Sequence, residues 1–127
     1  MNNEQSKNVL KEKSYAFALR IIKAYKYLAK EQGEYVLSKQ LLRCGTAIGA
    51  LVREAEYAQS KADFVNKMSI ALKEANETEY WVLLLQDSEY ITATISKSVL
   101  KDCRELLRLL VSSTNTAKKN MNIKKRE

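Results

Sequence analysis

From about Val9 to Glu31 the apolar residues Phe17, Ala18, Ile21, Ile22, Tyr25, Leu28 and Ala29 recur at helical spacing. Turned at roughly 100° per residue they fill one half of a wheel. Arg20, Lys23, Lys26 and Lys30 fill an arc of roughly 120° on the other half. The pattern predicts a first helix, about residues 9–31, with a basic outer face. Gly33 follows it, and a residue without a Cβ adopts at no cost the left-handed conformation that ends many helices. The short connection predicts that the next helix is an antiparallel neighbour.

That second helix, about 36–58, carries a stripe of Leu41, Cys44, Ile48, Leu51, Val52 and Ala55 at i, i+3, i+4 and i+7 spacing. Between Leu41 and Val52 the only charge is Arg43, so nearly the whole circumference can be hidden. Gly45 and Gly49 lie one turn apart as a groove of bare backbone, and Arg43, Ala47, Ala50 and Glu54 form another narrow face. A glycine inside a helix costs up to about 1 kcal/mol relative to alanine. Two in adjacent turns imply that another backbone comes close, either within the protomer or from a second copy of the chain.

Ser60 followed by Asp63 is a capping-box variant that starts a third helix, about 61–88. Phe64, Met68, Ala71, Leu72, Ala75, Val82 and Leu85 form its apolar side. Asp63, Lys67, Glu74, Thr78 and Trp81 fall within roughly 60° of one another beside that side, and Lys73 and Glu77 are spaced as an i,i+4 pair. Charges at the margin of a core must pair, which predicts contacts among themselves or with Arg43 and Glu54 of the second helix. Thr92 or Thr94 can cap a fourth helix, about 94–113, with a stripe of Ile95, Val99, Cys103, Leu106, Leu107 and Leu110. Lys97, Lys101, Arg104 and Arg108 alternate there with Asp102 and Glu105. Beyond it the periodicity is lost, and residues 117–127 read as a basic disordered tail. Residues 1–116 are thus expected to form one all-α domain, an antiparallel up-and-down four-helix bundle.

Composition agrees. The 127 residues include no proline and three glycines, and 127 is a one-domain length. Cys44 and Cys103, among apolar neighbours, are expected to be buried reduced thiols. The absence of histidine removes the commonest proton shuttle near neutral pH. No phosphate loop or nucleophile set is present, and Glu74 with Glu77 lacks the histidines that di-metal bundles use. No enzyme activity, cofactor or metal is expected. With no apolar run of roughly 20 residues and no signal-peptide core, the chain reads as cytoplasmic and free of the membrane.

The formal charge of +7 is uneven: +4 over residues 1–31, −1 over 32–116 and +4 over 117–127. Basic ends on a near-neutral body suit either a polyanion partner or a solvated tail. Tyr15, Tyr25 and Tyr27 near the lysines of the first helix could stack on bases or belong to the edge of the core.

Tyr35–Arg43, Gly45–Gly49, Arg53–Ala55, Ala62–Phe64 and above all Ile70–Trp81 resemble the bacterial four helix bundle protein family, the 23S rRNA intervening-sequence proteins. These segments span residues 35–81. That family usually has Ser near Cys44 and Asn at Ala50, so hydrogen bonds from those side chains are missing here. The resemblance implies a left-handed up-and-down bundle assembling as a ring-like homopentamer. It is similar in architecture to the accessory protein of diversity-generating retroelements, which binds nucleic acid and a reverse transcriptase. It implies no catalytic residues, and it does not make the chain a ribosome component. The expected function is an oligomeric RNA-binding bundle, with phosphate contacts from Arg20, Lys23, Lys26, Lys30, Lys118, Lys119, Lys124, Lys125 and Arg126. Arg43, Gly45, Gly49, Glu54, Asp63, Lys67, Lys73, Glu74, Glu77, Thr78 and Trp81 form an assembly or structural network. The alternative is a protein-interaction scaffold without nucleic acid.

Overall fold

The computed structural model describes the backbone of residues 3–126 and the side chains of residues 5 and 7–122. Four helices follow one another: α1 (Asn3–Lys30), α2 (Leu37–Glu56), α3 (Lys61–Asp87) and α4 (Ala93–Arg126). Each packs against the next and α4 returns against α1, so the short turns close an up-and-down bundle. Leu10, Phe17, Ile21 and Leu28 of α1 meet Leu41 and Ile48 of α2, Met68, Val82 and Leu85 of α3, and Val99, Leu106 and Leu110 of α4 in one core. Cys44, Ala71, Ala75, Thr78 and Cys103 are fully buried, a set of small side chains that lets the helix axes draw together. Two apolar positions leave the expected stripes. Ile22 is 36% exposed because it lies roughly 100° around the helix from the fully buried Ile21. Ile95, in the first turn of α4, is 40% exposed, and Ser96 turns inward in its place.

α4 also runs on through Arg126, where the loss of apolar periodicity predicts a disordered tail from 117. Periodicity reports a buried face, not helix formation. This stretch has no Gly or Pro, Ala117, Lys118, Lys119 and Met121 are good helix formers, and Thr114 remains buried against the bundle.

The glycine groove of α2 is filled from inside the protomer. A Cβ on Gly45 would lie 2.8 Å from Cγ1 and 2.9 Å from Cγ2 of Ile21, and one on Gly49 would lie 3.3 Å from the Ser14 carbonyl oxygen. Both glycines are buried against α1. Of the two neighbours left open by the sequence, the one found is within the protomer: α1 meets Gly45 with the Ile21 side chain and Gly49 with the Ser14 backbone.

The turn before α2 is organised by a residue the periodicity passes over. Gly33, at φ +62°, allows the Glu34 N–H to reach back to the Leu28 carbonyl at 2.9 Å. Glu34 is buried, and its carboxylate accepts the amides of Val36 at 3.0 Å, Leu37 at 2.8 Å and Ser38 at 2.7 Å. The Ser38 hydroxyl donates to the Glu34 carbonyl at 2.7 Å. One carboxylate thus satisfies the orphan donors of the α2 N-terminus, a place that favours negative charge. Burial pushes the carboxyl up, but the hydrogen bonds from Leu37, Ser38 and Val36 together outweigh it and hold Glu34 below the usual range. The other starts follow the expected chemistry. Ser60 Oγ accepts the Asp63 N–H at 3.0 Å and Asp63 Oδ2 accepts the Gln59 N–H at 3.3 Å, while Thr92 Oγ1 accepts the Ile95 N–H at 3.2 Å.

Gly45→Ala should lower the unfolding free energy by about 1–3 kcal/mol, overpacking against Ile21 outweighing the gain in helix propensity, with the mass by light scattering unchanged. Unchanged stability with an altered mass would put the glycine at a subunit contact. Glu34→Gln tests the α2 cap. A carboxyl whose pKa is depressed on folding stabilises fully above its unfolded value and loses that contribution as pH falls through the folded value. The variant should be less stable by about 1–2 kcal/mol near pH 6, and the denaturant midpoints of variant and parent should converge as pH falls through the lowered folded value of the carboxyl.

Candidate nucleic-acid interface

The two basic ends of the sequence are not two ends of the molecule. α1 and α4 are the terminal helices and also neighbours in the bundle, so their charge falls on one face. α1 holds seven basic and two acidic residues and α4 nine and two, whereas α2 holds three and two and α3 three and five. The acidic residues of α4 are used internally. Asp102 accepts Arg20 Nη1 at 2.6 Å, and Arg20 also donates to the Ser98 carbonyl at 3.1 Å and to the Ser98 hydroxyl. Glu105 pairs with Lys13, whose ammonium is raised by that hydrogen bond and charge. Arg20, expected on the phosphate-binding face, is thus committed to the α1–α4 seam. Its position at the edge of the α1 basic arc brings it opposite α4 rather than into solvent.

What remains on either side of the seam is cationic. Lys23, Lys26 and Lys30 are exposed along α1 with no ion pair among the described residues. On α4, Lys97, Lys101, Arg108 and Lys119 are exposed within roughly 40° of one another, a ridge along the helix. Arg104 beside it is held by Glu79 at 3.1 Å. Lys97, Lys101 and Arg108 lie outside the set expected from the sequence, where the acidic residues between them suggest a mixed face. The helical period separates the two sets, turning Asp102 and Glu105 towards α1. Lys118 is exposed with Lys119. The Arg20–Asp102 register places Lys30 and Lys118 at opposite ends of the face, roughly 40 Å apart at 1.5 Å per residue. The side chains of Lys124, Lys125 and Arg126 lie outside the described residues. Tyr15 and Tyr27 are exposed on α1, the first with the Arg53 guanidinium 5.7 Å from its ring centroid, while Tyr25 is half-buried.

On the α2–α3 side the marginal charges pair across the helices. Arg43 meets Glu77 at 2.7 Å and Glu74 at 3.3 Å, and Lys67 meets Glu54 at 3.7 Å. The Trp81 indole N–H donates to Glu77 at 3.1 Å, and with Arg43 it holds that carboxyl below its ordinary range. Glu77 is therefore taken by α2 and by Trp81, and Lys73 stands exposed without an ion pair among the described residues. Thr78 donates to the Glu74 carbonyl at 2.7 Å and lies 3.2 Å from Cys44 Sγ. Asp63 serves the α3 cap. Cys103, pushed up to about 12 by burial, and Cys44, also raised by burial, are free thiols and poor nucleophiles in that state. Among the described residues no cluster of three or more His, Cys, Asp or Glu side chains could hold a metal, and no helix is long and apolar enough to cross a membrane.

A family model described as 23S rRNA-intervening sequence protein matches residues 6–112. A crystal structure of a protein with unknown function from the S23 ribosomal protein family of Bacteroides thetaiotaomicron VPI-5482 is similar to the chain, with a TM-score of 0.86. The two are 56% identical, over 87% of this chain and 98% of that one. No curated protein matches.

Trp81, the single tryptophan, reports on the α2–α3 network. Its emission should titrate with Glu77 below the ordinary carboxylate range, and Arg43→Ala should move that midpoint upward because one of the two groups favouring the charged form is lost. A midpoint unmoved by the substitution would leave the indole hydrogen bond as the sole cause.

Proposed function

The chain belongs to the 23S rRNA-intervening sequence protein family, and from that premise we propose that it is a non-catalytic, homo-oligomeric bundle that binds RNA through the α1–α4 face. The observation that carries this reading is the segregation of charge. α1 and α4 together hold sixteen basic and four acidic residues, and two of those acidic residues are already occupied at the seam. A phosphate backbone matches a face of this kind, since each neutralised phosphate releases counterions. The exposed charge runs along the sides of two helices, which suits phosphate contacts and favours binding with little sequence preference.

Self-association rests on exposed apolar side chains, those of α1 beside its lysines and those of α3 away from them. Tyr15, Leu19 and Ile22 are exposed on α1, and Tyr80 and Leu83 on α3. Two unlike apolar patches suit a head-to-tail contact, which closes into a ring when the rotation permits. The α3 patch, with Tyr35 and Val36 exposed on the turn into α2, also supports the second reading, a scaffold that holds another protein. A single stoichiometric protein recovered after nuclease treatment would favour that reading.

The test is anisotropy of a labelled structured RNA across a salt series, with light scattering to give the subunit number. The affinity should fall steeply with salt. Lys97→Glu, Lys101→Glu and Arg108→Glu together should reduce the slope of log K against log salt by about 2–3, and Lys39→Glu with Lys73→Glu on the other helices should leave it unchanged. No binding at low salt overturns the RNA reading.

A further inference from the structure

At one end of the bundle the start of α1, the α2–α3 turn and the last turns of α4 enclose a cleft of about 470 Å³. We propose that this cleft receives one unpaired terminal nucleotide of an RNA lying on the α1–α4 face, its base against Phe64 and its phosphate between Lys7 and Lys61. The proposal rests on the RNA reading above and gives that RNA an end.

Size and lining argue for it together. The volume lies in the range of small-ligand sites. Leu10, Leu109 and Phe64 supply an apolar floor, and Lys7 and Lys61 supply two cations. No acidic side chain lines it among the described residues. The α3 N-terminus opens into it at Ser60 and Lys61, where partial positive charge also favours an anion. The nearby Asp63 carboxylate is turned back to the Gln59 amide, inside the helix cap. Ser112, Thr116 and Asn120, four residues apart on α4, line one wall with hydroxyl and amide groups suited to a sugar or a base edge.

The Lys7 ammonium sits 5.2 Å from the Phe64 ring centroid. A base that takes up the ring exchanges a cation–π contact for stacking and frees the ammonium for the phosphate that accompanies it. The cleft is also continuous with the basic face: Ala117 and Asn120 line it, and Lys119, on the same turn, ends the α4 ridge. A strand following that ridge from Lys97 reaches the cleft with its last nucleotide. A blunt duplex end keeps that base paired and cannot fill the site.

The test compares, on the full chain at one salt concentration, a blunt RNA duplex with the same duplex carrying a single 2-aminopurine overhang. The overhang RNA should bind about 10-fold or more tightly, the range that one base stacked on an aromatic ring supports, with a change in 2-aminopurine emission. Phe64→Leu should abolish both the preference and the emission change while leaving blunt-duplex affinity in place. Lys7→Gln with Lys61→Gln, both on exposed side chains, should reduce the preference while Phe64 remains in place to stack. Equal affinity of the parent for the two RNAs, with normal salt-dependent binding, overturns the cleft and leaves the α1–α4 face standing. Loss of binding to both RNAs overturns the reading beneath it. Adenosine monophosphate is titrated alone as a further arm; saturation by it without any overhang preference would make the occupant a free nucleotide and overturn the RNA-end form.

Discussion

The approach of α1 to α2 at Gly45 and Gly49 is the constraint on which the rest of the bundle depends. Ile21 occupies the space a Gly45 side chain would need, and the Ser14 backbone comes close enough to Gly49 that a methyl group there would have to push it by a few tenths of an ångström. α1 is then held deep, with Phe17, Ile21 and Leu28 in the core, and its opposite face, with Leu19, Lys23, Lys26 and Lys30, is pushed into solvent. α2 is anchored at its start by the Glu34 carboxylate, which gathers three amides and fixes the entry angle. With α1 and α2 set, α3 closes on α2 through Arg43, Glu74 and Glu77, and α4 fills the remaining side.

The ion pairs have different jobs on the two sides. Exposed pairs are each worth roughly 0–1 kcal/mol, so none of them holds the bundle together by itself. Their effect is to decide which charges remain. On the α2–α3 side Arg43 is matched by two carboxylates, and Lys67 and Glu54 cancel. On the α1–α4 side the two carboxylates of α4 are spent on Lys13 and Arg20, residues of the seam rather than of the ridges. The ridges therefore keep their full charge, and self-repulsion along them is tolerated because the core beneath is large and the charges are solvated.

Most of the fold was legible because the period of apolar residues is a direct readout of burial. Four helices and their order follow from it, and the capping residues mark two starts, Ser60 for α3 and, of Thr92 and Thr94, Thr92 for α4. What the period could not supply was the partner. Gly45 and Gly49 announce a close backbone without saying whose, and only the register of α1 against α2 identifies Ile21 and Ser14. Glu34 escaped because a carboxylate two or three residues before a helix looks like ordinary loop polarity until the chain turns back over it. The end of α4 escaped for the opposite reason: Ala117, Lys118 and Lys119 favour helix with no core face to betray it. For the candidate interface, the lysines of α1 were legible from the wheel. Lys97, Lys101 and Arg108 were obscured by counting charge along the chain instead of around the helix.

The same geometry explains why charge that looks terminal in sequence is concentrated in space. In an up-and-down bundle of four helices the first and last are necessarily neighbours. A basic bias at both termini then doubles on one face, while the acidic bias of α3 falls on the diagonal opposite α1. The closure of the ring by α1 and α4 thus converts a feature of chain ends into a surface dipole. That surface leaves the α3 patch of Tyr80 and Leu83 outside the most positive region, where a protein surface can meet it without desolvating the lysine ridges.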